Sequence, residues 1–136
     1  MEKYPQDWSK IEFVRRGGKS AEADRVLDLQ DGSPILLRFF IKAQVDKPLT
    51  YEANLILAGQ RIRGVGHCET ERRYFYGKIR IPKGWHENIV NPNLVQGDDN
   101  YNIHRSLPDF LFTDLVDFTR KTAAMWHIVL PPAELL

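Results

Sequence analysis

Three histidines have the side chains in this sequence best suited to catalysis. His67, His86 and His104 fall at predicted strand ends or in a long connecting segment, where a rigid scaffold commonly presents reactive groups. Imidazoles exchange protons near neutral pH, so two of them can serve as acid and base when RNA is cleaved through its own 2′-hydroxyl. The sequence therefore predicts these three as candidate catalytic residues. The competing interpretation is that they are hydrogen-bonded loop histidines.

A second group of residues combines positive charge with aromatic rings. Period-two alternation predicts that Arg61, Arg63 and His67 share one face of a strand. Cations neutralise phosphates and rings stack on unpaired bases, a combination that favours single-stranded nucleic acid. The alternative is an ordinary solvent-facing side of a sheet, on which long side chains cover apolar surface. The candidate nucleic-acid-binding residues are Arg61, Arg63, Arg73, Tyr74, Tyr76, Lys78 and Arg80.

The sequence lacks the residue spacings of the common metal and cofactor motifs. Cys68 is the only cysteine, which excludes an internal disulfide and any multi-cysteine zinc or iron-sulfur site. The histidines show no short ligand spacing, and Asp98-Asp99 lacks the carboxylate density of a calcium loop. Gly64 and Gly66 are not followed by Lys-Ser or Lys-Thr, so we interpret them as strand glycines at a bend or bulge. The sequence predicts no metal site and no cofactor.

Composition limits the classes of partner. The 19 basic and 18 acidic residues give a formal charge of +1, so any basic surface must be local. No apolar run approaches the ~20 residues that span a bilayer, which predicts no association with a membrane. Residues 1–10 lack the layout of a secretory signal, and we therefore expect a cytoplasmic protein.

The apolar pattern predicts a series of antiparallel strands. Residues 22–29 and 34–43 flank turn residues and form a hairpin, and residues 50–57 and 61–67 form a second one. Residues 73–81 alternate as a further strand, and residues 11–15 are a candidate edge strand. Residues 83–105 are rich in Gly, Asn and Asp and are predicted to be a long loop, which in a compact domain is usually functional or disordered.

A C-terminal helix follows that segment. Ser106 is the predicted N-cap, and apolar residues then recur at helical spacing across residues 109–125. The predicted architecture is a single α+β domain over residues 1–136, with an antiparallel sheet of five to six strands packed against this helix. Residues 1–10 are expected to be a flexible N-terminus.

The order of these features resembles small uncharacterised families related to TumE-type toxin-like proteins. The similar portion covers residues 26–128, and its most useful match is His86, then Asn91-Pro92, Gly97 and His104. The sequence differs by lacking clustered histidines after the arginine-bearing strand. The resemblance implies a bacterial or phage-associated protein in a toxin-antitoxin or defence setting.

Two function classes follow from the sequence. The first is a toxin-antitoxin-like or defence-associated protein that contacts RNA, as a metal-independent ribonuclease-like domain using His86 and His104 with Arg63 or Arg73. The second is a non-enzymatic module, antitoxin-like or inhibitory, that engages a cognate protein through a sheet face or edge, with Leu36 and Phe40 as candidate contacts. Pairing of an edge strand into a homodimer is a third alternative.

Overall fold

Period-two alternation organises most of the chain into strands in the computed structural model. The structure describes residues 3–5, 14–16, 20–29, 36–74, 79–91, 93–94 and 101–128. Its elements are β1 (Lys3–Pro5), β2 (Val14–Arg16), β3 (Ser20–Leu29), β4 (Leu37–Gln44), β5 (Lys47–Leu57), β6 (Gln60–Cys68), β7 (Arg72–Tyr74), β8 (Ile79–Ile81), β9 (Gly84–Val90), β10 (Asn102–Ser106) and α1 (Leu115–Met125).

Eight of these strands form one antiparallel sheet. The order across it is β1-β3-β4-β5-β6-β9-β10, and β2 also pairs with β3. β7 and β8 form a separate two-stranded hairpin. Because the central strands follow one another along the chain, short turns join most of them, as at Ala58 and Gly59, where both residues have positive φ.

One face of the sheet carries the core. Ile41 and Ala53 are fully buried there, and Phe118 of α1 is buried against the same face. Rings from the segment before the helix complete the packing, since Phe112 lies 5.6 Å from Tyr51 and 5.2 Å from Trp85 between centroids. The core is formed by Ala23, Leu27, Leu37, Phe39, Ile41, Ala43, Tyr51, Ala53, Leu55, Val65, Phe118, Ala123, Trp126 and Ile128.

A buried carboxylate joins the end of the helix to the sheet. Glu87 of β9 is 3% exposed, and its carboxylate accepts hydrogen bonds from Trp126 Nε1 at 2.7 Å and from the Arg105 guanidinium at 2.5 Å. The Trp126 ring also packs edge-on against Phe39, with centroids 6.1 Å apart. Glu87 therefore fixes both the edge strand β10 and the end of α1.

The predicted α+β class, a single domain with an antiparallel sheet and one C-terminal helix, is confirmed. The sheet has more strands than the five to six expected. One reason is that β1 lies within the N-terminal segment predicted to be flexible, where Lys3 pairs with Leu29. The rest of residues 1–10 lies outside the described residues. The predicted edge strand at residues 11–15 is found as β2, Val14–Arg16.

The prediction of a long loop over residues 83–105 is wrong. β9 and the start of β10 occupy nearly half of it, and the two strands pair in register from Asn102 opposite Val90 to Ser106 opposite His86. The error has a physical cause, because β9 buries His86, Glu87 and Asn88 in succession. Three consecutive polar residues do not produce the apolar alternation by which a strand is identified.

Two further boundaries differ from prediction. Residues 73–81 are not one strand, because β7 pairs back on β8, with Arg73 opposite Arg80. The helix begins six residues later than expected, at Leu115. Its N-cap is Asp114, which accepts from the Asp117 backbone N–H, and the Asp117 carboxylate in turn accepts from Thr113 N at 2.9 Å. That reciprocal cap defines the start of the helix, and Ser106 ends β10 instead.

Candidate functional site

A cleft of about 350 Å³ lies on the face of the sheet opposite the helix. Its volume is at the lower end of the range typical of small-ligand sites. Strands β5, β6, β9 and β10 form its floor, and the β7–β8 hairpin contributes one wall. The lining residues are Glu52, Asn54, Arg61, Gly64, Val65, Gly66, His67, Cys68, Arg72, Ile81, His86, Asn88 and His104.

His86 and His104 face each other in this cleft. His86 lies on β9 and His104 on β10, and their ring centroids are 5.8 Å apart. The His86 Nδ1 atom lies 3.3 Å from the Gly84 carbonyl oxygen, which orients that ring. At this separation the two rings are neighbours, close enough for both to contact a single bound group. The structure therefore brings together two of the three predicted catalytic residues.

Burial holds both rings neutral. Desolvation lowers the pKa of His86, although its contact with the Gly84 carbonyl opposes that shift. Burial lowers the pKa of His104 more strongly, to about 4, with further contributions from His86 and Arg61. At neutral pH the cleft therefore contains two uncharged imidazoles beside the permanent cation of Arg61. Each ring can accept a proton when an anion enters.

A β-bulge in β6 determines which face of the sheet Arg61 occupies. Leu55 is paired with Arg63 and Ile56 with Arg61, so Ile62 is an extra residue in β6. The bulge turns Arg61 toward the cleft and leaves Arg63 on the helix face with Leu55. The prediction that Arg61, Arg63 and His67 share one face is therefore wrong for Arg61. Arg61 forms no ion pair with any residue in the described part of the chain.

His67 is separated from the other two histidines. It contributes to the rim of the cleft, but its ring packs edge-on against Trp85 with centroids 5.2 Å apart. Trp85 in turn contacts Phe110 and Phe118, which belong to the helix side. The structure therefore brings His86 and His104 together, while the His67 ring packs on the other face and still contributes to lowering the pKa of His86.

The arginines of the β7–β8 hairpin differ in whether they line the cleft. Arg72 and Ile81, paired across the hairpin, line the cleft. Arg73 and Arg80 form the next pair and do not line it. Both are bound by Glu71, Arg73 at 3.2 Å. Tyr76 and Lys78 lie outside the described residues, and the backbone of Tyr74 ends β7. The structure thus provides Arg61 and Arg72 as the arginines of the cleft.

Asn88 was not recognised from the sequence. It lies two residues from His86 on β9, on the cleft floor, is 4% exposed, and pairs across the sheet with His104. Neither Oδ1 nor Nδ2 of Asn88 has a hydrogen-bond partner among the described residues, and the same holds for His104 Nδ1 and Asn102 Oδ1. Buried polar atoms are nearly always paired, so water or a bound molecule is expected to supply the partners of these atoms.

The sequence did contain one signal for this cleft. Gly64 and Gly66 occupy inward positions on the floor of β6, and a strand glycine often marks a place where another group approaches the backbone closely. Within the described residues, no group of three or more His, Cys, Asp or Glu side chains is arranged to hold a metal ion. None of the described helices is long and apolar enough to cross a membrane.

Comparison with known proteins adds no family assignment. No family model matches the chain, and no curated protein or solved structure shows significant similarity to it.

Proposed function

We propose that the cleft binds single-stranded RNA and cleaves it by a metal-independent route, in which the ribose 2′-hydroxyl is the nucleophile. The observation that carries this proposal is the pair of facing imidazoles, 5.8 Å apart between centroids, beside Arg61. Acid and base catalysis of this reaction requires two proton-exchanging groups on opposite sides of one phosphate. A toxin-antitoxin or defence role, as the sequence resemblance implies, is part of the same proposal.

The local geometry supports distinct roles for the two rings. His104 has the lower pKa, so it is the base that takes the proton from the 2′-hydroxyl. The 2′-oxygen then attacks phosphorus, the bond from phosphorus to the 5′-oxygen breaks, and a 2′,3′-cyclic phosphate forms. The Gly84 carbonyl favours the protonated ring of His86, which suits His86 to donate a proton to the leaving 5′-oxygen. Arg61 stabilises the negative charge that develops on the phosphoryl oxygens.

Charge in the cleft agrees with an anionic ligand. Arg61 and Arg72 line the cleft together with the carboxylate of Glu52, and Arg61 forms no ion pair among the described residues. The overall charge is close to neutral, so attraction to phosphate is confined to this region. We therefore expect RNA binding that weakens as salt is raised, with the shallow slope of only a few phosphate contacts.

The direct test is cleavage of labelled single-stranded RNA in the presence of EDTA. We expect His86→Ala and His104→Ala each to lower the rate by about 100-fold or more, and Arg61→Ala to lower it by at least roughly tenfold. His127→Asn is the matched control, because His127 is exposed beyond the helix and its φ of 57° suits asparagine. Equal activity in wild type, His86→Ala and His104→Ala would rule out the proposed mechanism.

The second candidate function is a protein-binding module. β10 ends the sheet among the described strands, and Ile103 on it is 43% exposed, which suits pairing with a strand of a cognate protein or of a second copy. Leu36 is 50% exposed, whereas Phe40 is half-buried. Light scattering of wild type and Ile103→Lys tests the homodimer: a dimer lost in the variant favours it, and a monomer in both excludes pairing through β10.

A further inference from the structure

A row of residues crosses the cleft floor at right angles to the strands. Asn54 of β5 pairs with Gly64 of β6, Gly64 pairs with Asn88 of β9, and Asn88 pairs with His104 of β10. Each of these side chain positions points to the cleft side of the sheet. The row therefore places a position without a side chain between two amides, with a histidine at its end.

The glycines make a flat floor of bare backbone. A Cβ atom at Gly66 would meet nothing within 4 Å, and one at Gly64 would lie 3.4 Å from Asn54 Oδ1 and 3.6 Å from Arg61 Cδ. Neither glycine has the positive φ that only glycine adopts easily. Glycine is therefore not required at these positions by the backbone, although it weakens a strand. At Gly66 it provides open space above β6, whereas Gly64 is buried and bordered by Asn54 and Arg61.

Asn88 presents an unused donor and an unused acceptor at the edge of that space. Its Nδ2 and Oδ1 atoms are both buried and without partners in the described part of the chain. A carboxamide can form two parallel hydrogen bonds with any planar group that carries an adjacent donor and acceptor. Asparagine pairs in this way with N6 and N7 of adenine.

We propose that the space above Gly66 is a nucleobase subsite, in which the ring lies over Gly66 and its edge pairs with the Asn88 amide, with adenine preferred. This inference rests on the proposed function and names its substrate class. A base held here lies directly beside the histidine pair, so the attached ribose phosphate extends toward His86 and His104. The subsite thus selects which nucleotide is presented for cleavage.

Binding of the four nucleoside 3′-monophosphates, measured by isothermal titration calorimetry on the full chain, tests this subsite without requiring cleavage. We expect adenosine 3′-monophosphate to bind most tightly. Asn88→Asp replaces the donor with a second acceptor and should weaken adenosine 3′-monophosphate by roughly tenfold or more while reducing the difference among the four. Asn93→Asp adds the same charge at an exposed position and should leave binding unchanged.

Gly66→Val provides an independent test, because its Cβ would meet nothing within 4 Å and its methyl groups would extend into the space above the floor. It should abolish discrimination among the bases and weaken all four nucleotides, while thermal unfolding shows an intact fold. Ala124→Val, which adds bulk on the exposed side of α1, is its control. Gly66→Val introduces no charge, so it remains informative if Asn88→Asp does not fold.

The outcomes separate this inference from the proposed function. Unchanged base preference in both cleft variants, with RNA still cleaved by wild type, would overturn the nucleobase subsite alone. Nucleotide binding lost in Gly66→Val, with no cleavage of any RNA, would support the subsite and overturn the ribonuclease mechanism. Absence of binding by all four nucleotides at low salt would overturn the subsite.

Discussion

The two faces of the central sheet are built differently. On the helix face the core side chains are apolar, and the buried carboxylate of Glu87 has two donors. On the cleft face, Gly66 leaves open space above the backbone, and the buried Asn88 amide has no hydrogen-bond partner among the described residues. The first arrangement maximises packing and hydrogen bonding, whereas the second gives up both at one place. The contrast supports our proposal that the helix face maintains the fold and the cleft face binds a ligand.

The largest expected effect on the free energy of unfolding is that of a substitution at the centre of the helix face. Phe118→Ala removes a ring that is 0% exposed and should lower the free energy of unfolding by about 3 to 5 kcal/mol. Leu111→Ala, at a side chain 74% exposed, should change it by less than about 0.5 kcal/mol. Urea denaturation of both variants measures the difference. Similar losses in the two would contradict the placement of the core.

The second-largest expected effect on the free energy of unfolding lies at the Glu87 carboxylate. Glu87→Ala leaves Trp126 Nε1–H buried without its acceptor and should cost about 1.5 to 3 kcal/mol of unfolding free energy. Arg105→Ala removes a side chain that is 58% exposed, and since solvent screens that pair it should cost less than about 1 kcal/mol. Urea denaturation distinguishes them. If Arg105→Ala were as damaging as Glu87→Ala, the ion pair and not the tryptophan contact would be responsible.

The cleft histidines should make stability depend on pH. Folding lowers the pKa of His86 and that of His104, the latter to about 4, so between pH 4 and 6.5 the unfolded chain binds more protons. Their contribution is therefore fully present above about pH 6.5 and is lost as pH falls toward 4. We expect a loss of about 1 to 2 kcal/mol after allowance for solvent screening.

Thermal unfolding at pH 7 and pH 5 measures this dependence. His104→Asn should flatten it, whereas His127→Asn should not. A melting temperature of wild type that rises on acidification would contradict the burial of these rings.

The same pKa directions predict that kcat/KM for RNA cleavage is highest below pH 6.5, because one ring must be protonated and the other neutral.

The smallest effect sharpens the contrast between glycines. Gly66→Ala adds a methyl group into open space on an ordinary strand backbone and should raise the unfolding free energy by about 0.5 to 1 kcal/mol. Gly59→Ala also meets nothing within 4 Å, but its φ is +83°, and it should lower stability by about 1 to 2 kcal/mol. Denaturation curves with opposite shifts would confirm that Gly66 is retained for space and not for conformation.

Parts of the candidate site could be predicted from the sequence, and the omissions have definite causes. His86 and His104 were identified because histidine is unusual among side chains in titrating near neutral pH. Arg61 was assigned to the wrong set of neighbours, because one extra residue at Ile62 reverses which face a side chain occupies. Asn88 was missed because it lies in a strand whose polar residues obscured the alternation.

By itself the sequence determined the α+β class, the two early hairpins and a C-terminal helix, because these depend on local periodicity and on turn and cap chemistry. Only the tertiary structure decided that β9 and β10 extend the sheet, that His67 lies apart from His86 and His104, and that Gly64 lies between Asn54 and Asn88. Those relations depend on strand register between residues distant in the chain. Register is set by how whole strands bury their faces against each other, and no local pattern contains it.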